Sequence, residues 1–112
     1  MRRALLVLAA LLGAVSVAMA AIGSHGGYPR VTLAAWIGLP HAVLVVAVAL
    51  HAPRGWVMLA GASAMLLGAY AFAASMVSLD AWTISLGPVA PVAGLMLMAG
   101  WLTLAFAGLR SR

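Results

Sequence analysis

The first interruption of a long apolar run is the stretch AIGSHGGYPR, residues 21–30. Within ten residues it combines three glycines, a histidine, a proline and an arginine. Apolar segments flank it on both sides, and each approaches the roughly 20 residues that a membrane-spanning helix needs. Glycine and proline in such a cluster mark turns. We interpret the stretch as a loop between two membrane helices, with a processing site and a functional site as the alternatives.

The composition of the chain argues against a soluble domain. Of its 112 residues, 67% are hydrophobic and 6% are charged, whereas about a quarter of the residues of a soluble domain are charged. The charged residues are six arginines and one acid, Asp80. The arginines are scattered at segment ends and form no stripe, so nucleic acid is not an expected partner. The absence of cysteine excludes disulfides and thiolate sites.

Four apolar segments are long enough to span a bilayer. The sequence predicts these spans at about residues 4–22, 32–50, 56–77 and 89–109. The connections between them are short, so we expect consecutive helices to be antiparallel neighbours. The predicted fold is all-α, with residues 1–112 forming a single transmembrane domain, an integral membrane four-helix bundle with short loops.

The arginines predict the orientation of the bundle, because positive charge is enriched in cytoplasmic segments. Arg30 and Asp80 fall on one side of the four predicted spans. The other arginines fall on the opposite side, and they are Arg2, Arg3, Arg54, Arg110 and Arg112. Both termini are therefore expected to face the cytoplasm.

The first twenty residues also have features of a secretory signal peptide. Two arginines precede an apolar run, and Ala18-Met19-Ala20 matches the A-x-A pattern of a cleavage site. The apolar run continues through Ile22 and is longer than the roughly 7–15 residues typical of such signals. A retained first span is favoured, and cleavage after Ala20 is the alternative.

Three short motifs occur in order along the chain. They are Gly23, His25 and Gly26 at the outer end of the first span, His41-Ala42 in the second span, and Pro91, Gly94, Gly100 and Trp101 in the fourth span. In these motifs and their order the chain resembles the small bacterial inner-membrane proteins of the domain-of-unknown-function family 423. The resemblance implies a multi-pass protein of the bacterial inner (plasma) membrane without a settled biochemical role.

His41 is the only ionisable residue near the middle of a predicted span, and such a residue is a candidate for function by default. A helical rise of about 1.5 Å per residue places Ser16 and Tyr70 within about one turn of its depth. These three residues form a candidate polar cluster. Its functional interpretation is a proton relay or a small polar binding site. The favoured interpretation is structural, a neutral histidine that donates across the bundle, with Pro40 freeing a carbonyl to accept.

His25 is expected to cap the last carbonyls of the first span, with a ligand role at the outer face as the alternative. The three histidines lie at different depths, and His41 and His51 are separated by ~15 Å along one helix. We therefore expect no metal site and no haem or other cofactor. A single acid excludes two-carboxylate catalysis, so we do not expect an enzyme.

Two functions are supported by particular residues at this point, and a lipid-binding or envelope-stress component is a third possibility that no particular residue supports. The first is a structural or accessory membrane component that works by helix packing. The second is a minimal carrier of small solutes or protons that uses His41. The expected partners are the lipid bilayer and either a second copy of the chain or a larger membrane protein.

Overall fold

The computed structural model describes residues 2–51 and 55–110 as four α-helices. Their bounds are α1 Arg2–Gly26, α2 Pro29–His51, α3 Trp56–Trp82 and α4 Val89–Arg110. All four are long and apolar enough to cross a membrane, and the described ranges contain no strand. The predicted all-α membrane bundle is therefore confirmed. Arg54 and Arg112, which the orientation argument uses, lie outside the described residues.

Consecutive helices pack side by side. The backbone of α1 lies against α2, α2 against α3 and α3 against α4, while α1 meets α3 over a short stretch only. The overall dimensions of 47 × 25 × 19 Å suit helices of about 33–40 Å lying along one axis. In the part of the chain that is described, the backbone of α4 therefore has α3 as its one neighbour.

Small residues lie at the interface between α3 and α4. Lipid provides no hydrophobic drive for helix association, so the helices associate through close van der Waals packing, which small residues permit. A Cβ added at Gly100 of α4 would lie 2.9 Å from the carbonyl oxygen of Gly61 on α3. A Cβ at Gly68 would lie 2.9 Å from the carbonyl oxygen of Ala93. These two crossings fix α4 on α3 at separations that a larger side chain would not permit.

The predicted connection between the first two helices exists but is shorter than expected: only Gly27 and Tyr28 form the turn, and the rest of residues 21–30 belongs to α1 and α2. Gly27 has φ +72°, and the Tyr28 N–H donates to the Gly23 carbonyl over 2.9 Å. This pattern ends α1 with a left-handed glycine that satisfies the final carbonyls. Pro29 then begins α2, where its missing N–H costs nothing.

The third helix ends later than the sequence predicts. It continues five residues beyond Val77 to Trp82, so Asp80 is helical and not part of the outer loop. The helix stops at Thr83, which has φ 52°, and the Ile84 N–H donates to the Ser78 carbonyl over 3.1 Å. The helical extension places the carboxylate of Asp80 beside the start of α2.

Candidate functional site

The start of α2 is capped by a side chain from α3. One carboxylate oxygen of Asp80, Oδ2, accepts the backbone N–H of Arg30 over 2.7 Å and that of Val31 over 3.1 Å. These are first-turn N–H groups that have no partner within their own helix. A carboxylate is favoured there because the N-terminus of a helix carries partial positive charge. The single acid of the chain thus acts as an N-cap supplied by a different helix.

The second oxygen of the same carboxylate completes the contact. Asp80 Oδ1 accepts from the Arg30 guanidinium over 3.1 Å. The Asp80 side chain is only 5% exposed, whereas that of Arg30 is 53% exposed. The arginine therefore covers the carboxylate from the outside, while the two backbone bonds lie beneath it. The sequence carries no signal for this arrangement beyond the fact that Arg30 and Asp80 fall on the same predicted side.

The motif at the outer end of α1 serves the turn. Gly23 is buried, and a Cβ there would lie 2.8 Å from the backbone nitrogen of Thr32 and would overlap the Thr32 hydroxyl. A Cβ at Gly26 would meet the Tyr28 ring at 2.7 Å. The His25 imidazole is exposed and has no hydrogen bond among the described residues. The expectation that His25 caps α1 is wrong, because the backbone of the turn provides the cap.

The middle of α2 carries a histidine that accepts a hydrogen bond from a tryptophan of α4. His41 lies next to Pro40, which has eleven residues of α2 on either side. Its Nε2 accepts the indole N–H of Trp101 on α4 over 3.0 Å, and its Nδ1 donates to the Ile37 carbonyl over 2.6 Å. The two rings meet edge to face at 71° with centroids 5.9 Å apart, a favoured aromatic geometry.

These two bonds define the protonation state of the imidazole. A carbonyl oxygen only accepts and an indole N–H only donates. Nδ1 must therefore carry the proton and Nε2 must be bare, which is the neutral Nδ1–H tautomer of His41. A second proton on Nε2 would face the Trp101 N–H and break that bond. Both ring nitrogens are thus used inside the protein.

The carbonyl that serves His41 differs from the one that Pro40 frees. The missing N–H of Pro40 leaves the carbonyl of Trp36 without its helical donor, because that bond joins residues four apart. The Nδ1–H of His41 instead reaches the carbonyl of Ile37. In a regular helix this same oxygen accepts the backbone N–H of His41.

The other two members of the predicted cluster do not bond to His41 or to each other. The Tyr70 hydroxyl donates to the Leu8 carbonyl over 2.6 Å and thereby joins α3 to α1. Ser16 is buried on α1 with its hydroxyl against Gly38, where an added Cβ would lie 2.5 Å from Oγ. The Ser16 hydroxyl has no hydrogen-bond partner. Direct hydrogen bonds among Ser16, His41 and Tyr70 do not occur.

Some residues of the fourth-span motif contact other helices, and others do not. Gly100 packs on α3 and Trp101 bonds His41, whereas a Cβ at Gly94 would meet nothing within 4 Å. Pro91 lies in the first turn of α4, where proline is accepted. The sequence placed Trp101 in this motif without identifying it as the partner of His41. Their shared position near the middle of two helices is the signal that points to the pair.

No group of three or more potential metal-ligating side chains occurs within residues 2–51 and 55–110. His41 is not available as a ligand in this arrangement, since both of its nitrogens are occupied. His41 and Trp101 therefore form a neutral hydrogen-bonded bridge between α2 and α4.

Replacing Trp101 by phenylalanine should remove the indole donor and keep most of the ring. Hydrogen bonds between membrane helices average about 0.6 kcal/mol and reach about 1.7 kcal/mol, so we expect a loss in that range in detergent unfolding experiments. In ¹⁵N NMR spectra the wild-type His41 should be the Nδ1–H tautomer. Trp36→Phe is the matched control, because Trp36 is 73% exposed and makes no hydrogen bond in the described structure. Equal losses in the two variants would show that the bridge contributes nothing.

Comparison with known proteins identifies no relative. No protein-family model, no curated protein and no solved structure matches the chain.

Proposed function

We propose that the protein is a structural or accessory component of a membrane that works by helix packing and not by catalysis. The observation that carries this proposal is the hydrogen bonding of His41, the histidine at the middle of α2. Its two nitrogens bond Ile37 and Trp101, and it is neutral. Its geometry is that of a link between helices.

The fourth helix offers the surface for such a role. Only Ala93, Leu97 and Gly100 of α4 are buried, and the rest of the helix is exposed or half-buried. Large apolar side chains cover the exposed face, and they include Leu95, Met98, Leu102 and Phe106. This face is suited to lipid and to the apolar helix of a partner, either a second copy or a larger membrane protein.

We further propose that the protein belongs to the bacterial inner membrane with both termini in the cytoplasm, as a member of the domain-of-unknown-function family 423. The charge distribution supports this orientation. Arg2 and Arg3 begin α1 and Arg110 ends α4, so all three lie at one end of the bundle. Arg30 lies at the opposite end and is paired with Asp80.

A second function, a proton-linked carrier, is favoured by one observation. The His41–Trp101 bond lies at the edge of the bundle, with His41 half-buried and Trp101 49% exposed. Protonation of His41 would release Trp101, and with it the link between α2 and α4. In this function the bridge is a gate.

Reconstitution into liposomes separates the two functions. Proton flux is driven by a potassium gradient with valinomycin and followed with an internal pH dye. We expect flux equal to that of empty liposomes for the wild type and for His41→Asn. The control is His51→Asn, which changes an exposed histidine at the end of α2. Flux that is present in the wild type and in His51→Asn but lost in His41→Asn would establish the carrier.

A photo-reactive residue in living cells tests the accessory role directly. Placed at Met98, on the exposed face of α4, it should give a discrete adduct with a protein. Placed at Val17, on the exposed face of α1, it serves as the comparison. An adduct with the mass of two chains identifies a second copy, and a heavier one identifies a larger partner. Adducts with lipid alone at Met98 would contradict the accessory role.

A further inference from the structure

An open pocket lies at the end of the bundle where α1 and α3 begin. It has a volume of about 540 Å³ and is lined by Arg2, Gly55, Trp56 and Leu59. Arg2 is half-buried at the start of α1, whereas the indole of Trp56 is 77% exposed at the start of α3. Among the described residues, the lining of the pocket therefore includes a cation, an aromatic ring and an aliphatic side chain at the end of membrane-spanning helices.

Each of these groups matches one part of a phospholipid. The planar guanidinium of an arginine presents parallel N–H donors that fit phosphate oxygens in pairs. Tryptophan is enriched at membrane interfaces, where its ring lies at the level of the headgroups. Leu59 lies about one helical turn further along α3 than Trp56, toward the middle of the span. The lining changes from charged to apolar in the direction in which a lipid does.

The charge around the pocket favours an anion. Arg3 and Arg110 lie at the same end of the bundle, and the one acid of the chain lies at the other end. The Arg110 guanidinium lies 5.6 Å from the centre of the Phe106 ring on the same helix, so this cation is held close to α4. Basic pockets between membrane helices are a recognised form of binding site for anionic lipid headgroups.

The backbone at the start of α3 also favours an anion in the pocket, as a secondary contribution. Gly55 is the N-cap of α3, has φ −158°, and makes no side-chain cap bond. The partial positive charge of the helix start therefore faces the pocket. A Cβ at Gly55 would meet nothing within 4 Å among the described residues.

We propose that this pocket binds the phosphate group of an anionic phospholipid. Arg2 contacts the phosphate, the Trp56 ring lies beside the glycerol, and Leu59 contacts the start of an acyl chain. The assignment does not depend on the role proposed for α4, on the state of His41 or on which side of the membrane this end faces. Phosphate is the shared chemistry of a lipid and of the free anion, and the experiment separates these two sources.

The test is native mass spectrometry of the full-length protein in mild detergent, titrated with phosphatidylglycerol or with phosphatidylcholine. We expect preferential retention of phosphatidylglycerol. Arg2→Gln should weaken that retention about fivefold, the effect of removing one arginine near an anionic headgroup. Arg3→Gln is the matched control, because it removes the same charge from the adjacent residue, which does not line the pocket. We expect it to change retention less than twofold.

A second pair of variants keeps the test independent of Arg2. Gly55→Asp and Gly55→Asn both introduce a favourable N-cap residue into open space, so both should fold. Only the aspartate brings a negative charge into the pocket. We expect Gly55→Asp to lose the preference for phosphatidylglycerol and Gly55→Asn to retain it.

Three results would overturn the proposal. Equal losses in Arg2→Gln and Arg3→Gln would assign the preference to the general charge of this end. Full retention in Gly55→Asp would exclude the pocket as the site. Binding of inorganic phosphate that abolishes any preference between the two lipids would identify the free anion as the ligand.

Discussion

Replacing Gly100 by alanine should destabilise the bundle, while the same substitution at Gly94 on the same helix should not. The new Cβ at position 100 would lie 2.9 Å from the Gly61 carbonyl oxygen and would overlap the Met65 side chain. The Gly61 oxygen belongs to the backbone, so α4 must move away from α3. At position 94 the Cβ meets nothing within 4 Å.

The expected difference between the two variants is about 1–3 kcal/mol, the usual cost of overpacking a close interface. Both substitutions gain the same preference of alanine over glycine in a helix, up to ~1 kcal/mol. Their difference therefore reports packing alone. The loss is large because the backbone of α4 rests on α3 and on no other described helix.

The measurement is reversible unfolding in mixed detergent and SDS, followed by circular dichroism. The wild type, Gly94→Ala and Gly100→Ala are compared at equal protein concentration. We expect Gly94→Ala to be at least as stable as the wild type and Gly100→Ala to unfold at lower SDS. Equal stability of the two variants would mean that the α3–α4 interface is not held at Gly100.

The four spans are predictable from sequence because lipid leaves the backbone only one way to satisfy its polar groups in a span of this length, the helix. Long apolar segments separated by short polar ones therefore fix the number of helices. The end of α3 is less predictable. A charge at Asp80 close to serine, glycine and proline signals a loop, whereas the actual helix is extended by a contact with α2 that is 49 residues distant in sequence.

For the candidate site, the sequence predicts how deep in the span a residue lies, but it does not predict which neighbouring helix the side chain faces. Counting residues along each helix places His41 at the centre of the membrane span, but it does not show which neighbour it faces. Ser16, Tyr70 and Trp101 all lie within reach of that depth, and the structure assigns His41 to Trp101. In a soluble protein the apolar stripe would indicate the inward face. These helices are apolar all round, so sequence cannot choose between the faces.

Asp80→Asn should produce the largest loss of stability among polar substitutions in the described structure. Asp80 accepts three hydrogen bonds, two from the start of α2 and one from the Arg30 side chain. The amide keeps the size of the side chain, but it removes the negative charge and replaces one acceptor oxygen with a donor. The loss of an N-cap of this kind should lower the melting temperature by roughly 5–10 °C.

Arg30→Gln isolates the cap from the ion pair. It removes the guanidinium and retains the backbone N–H groups of Arg30 and Val31, so two of the three bonds survive. The Arg30 side chain is 53% exposed, and exposed pairs contribute little. We expect a shift of about 2 °C or less.

Thermal unfolding in detergent compares the two variants, and amide hydrogen exchange at Arg30 and Val31 should accelerate in Asp80→Asn alone. If Arg30→Gln is as damaging as Asp80→Asn, the ion pair holds α2 to α3. If it is not, the two backbone bonds that Asp80 accepts at the start of α2 carry the stability, and the cap joins α3 to α2.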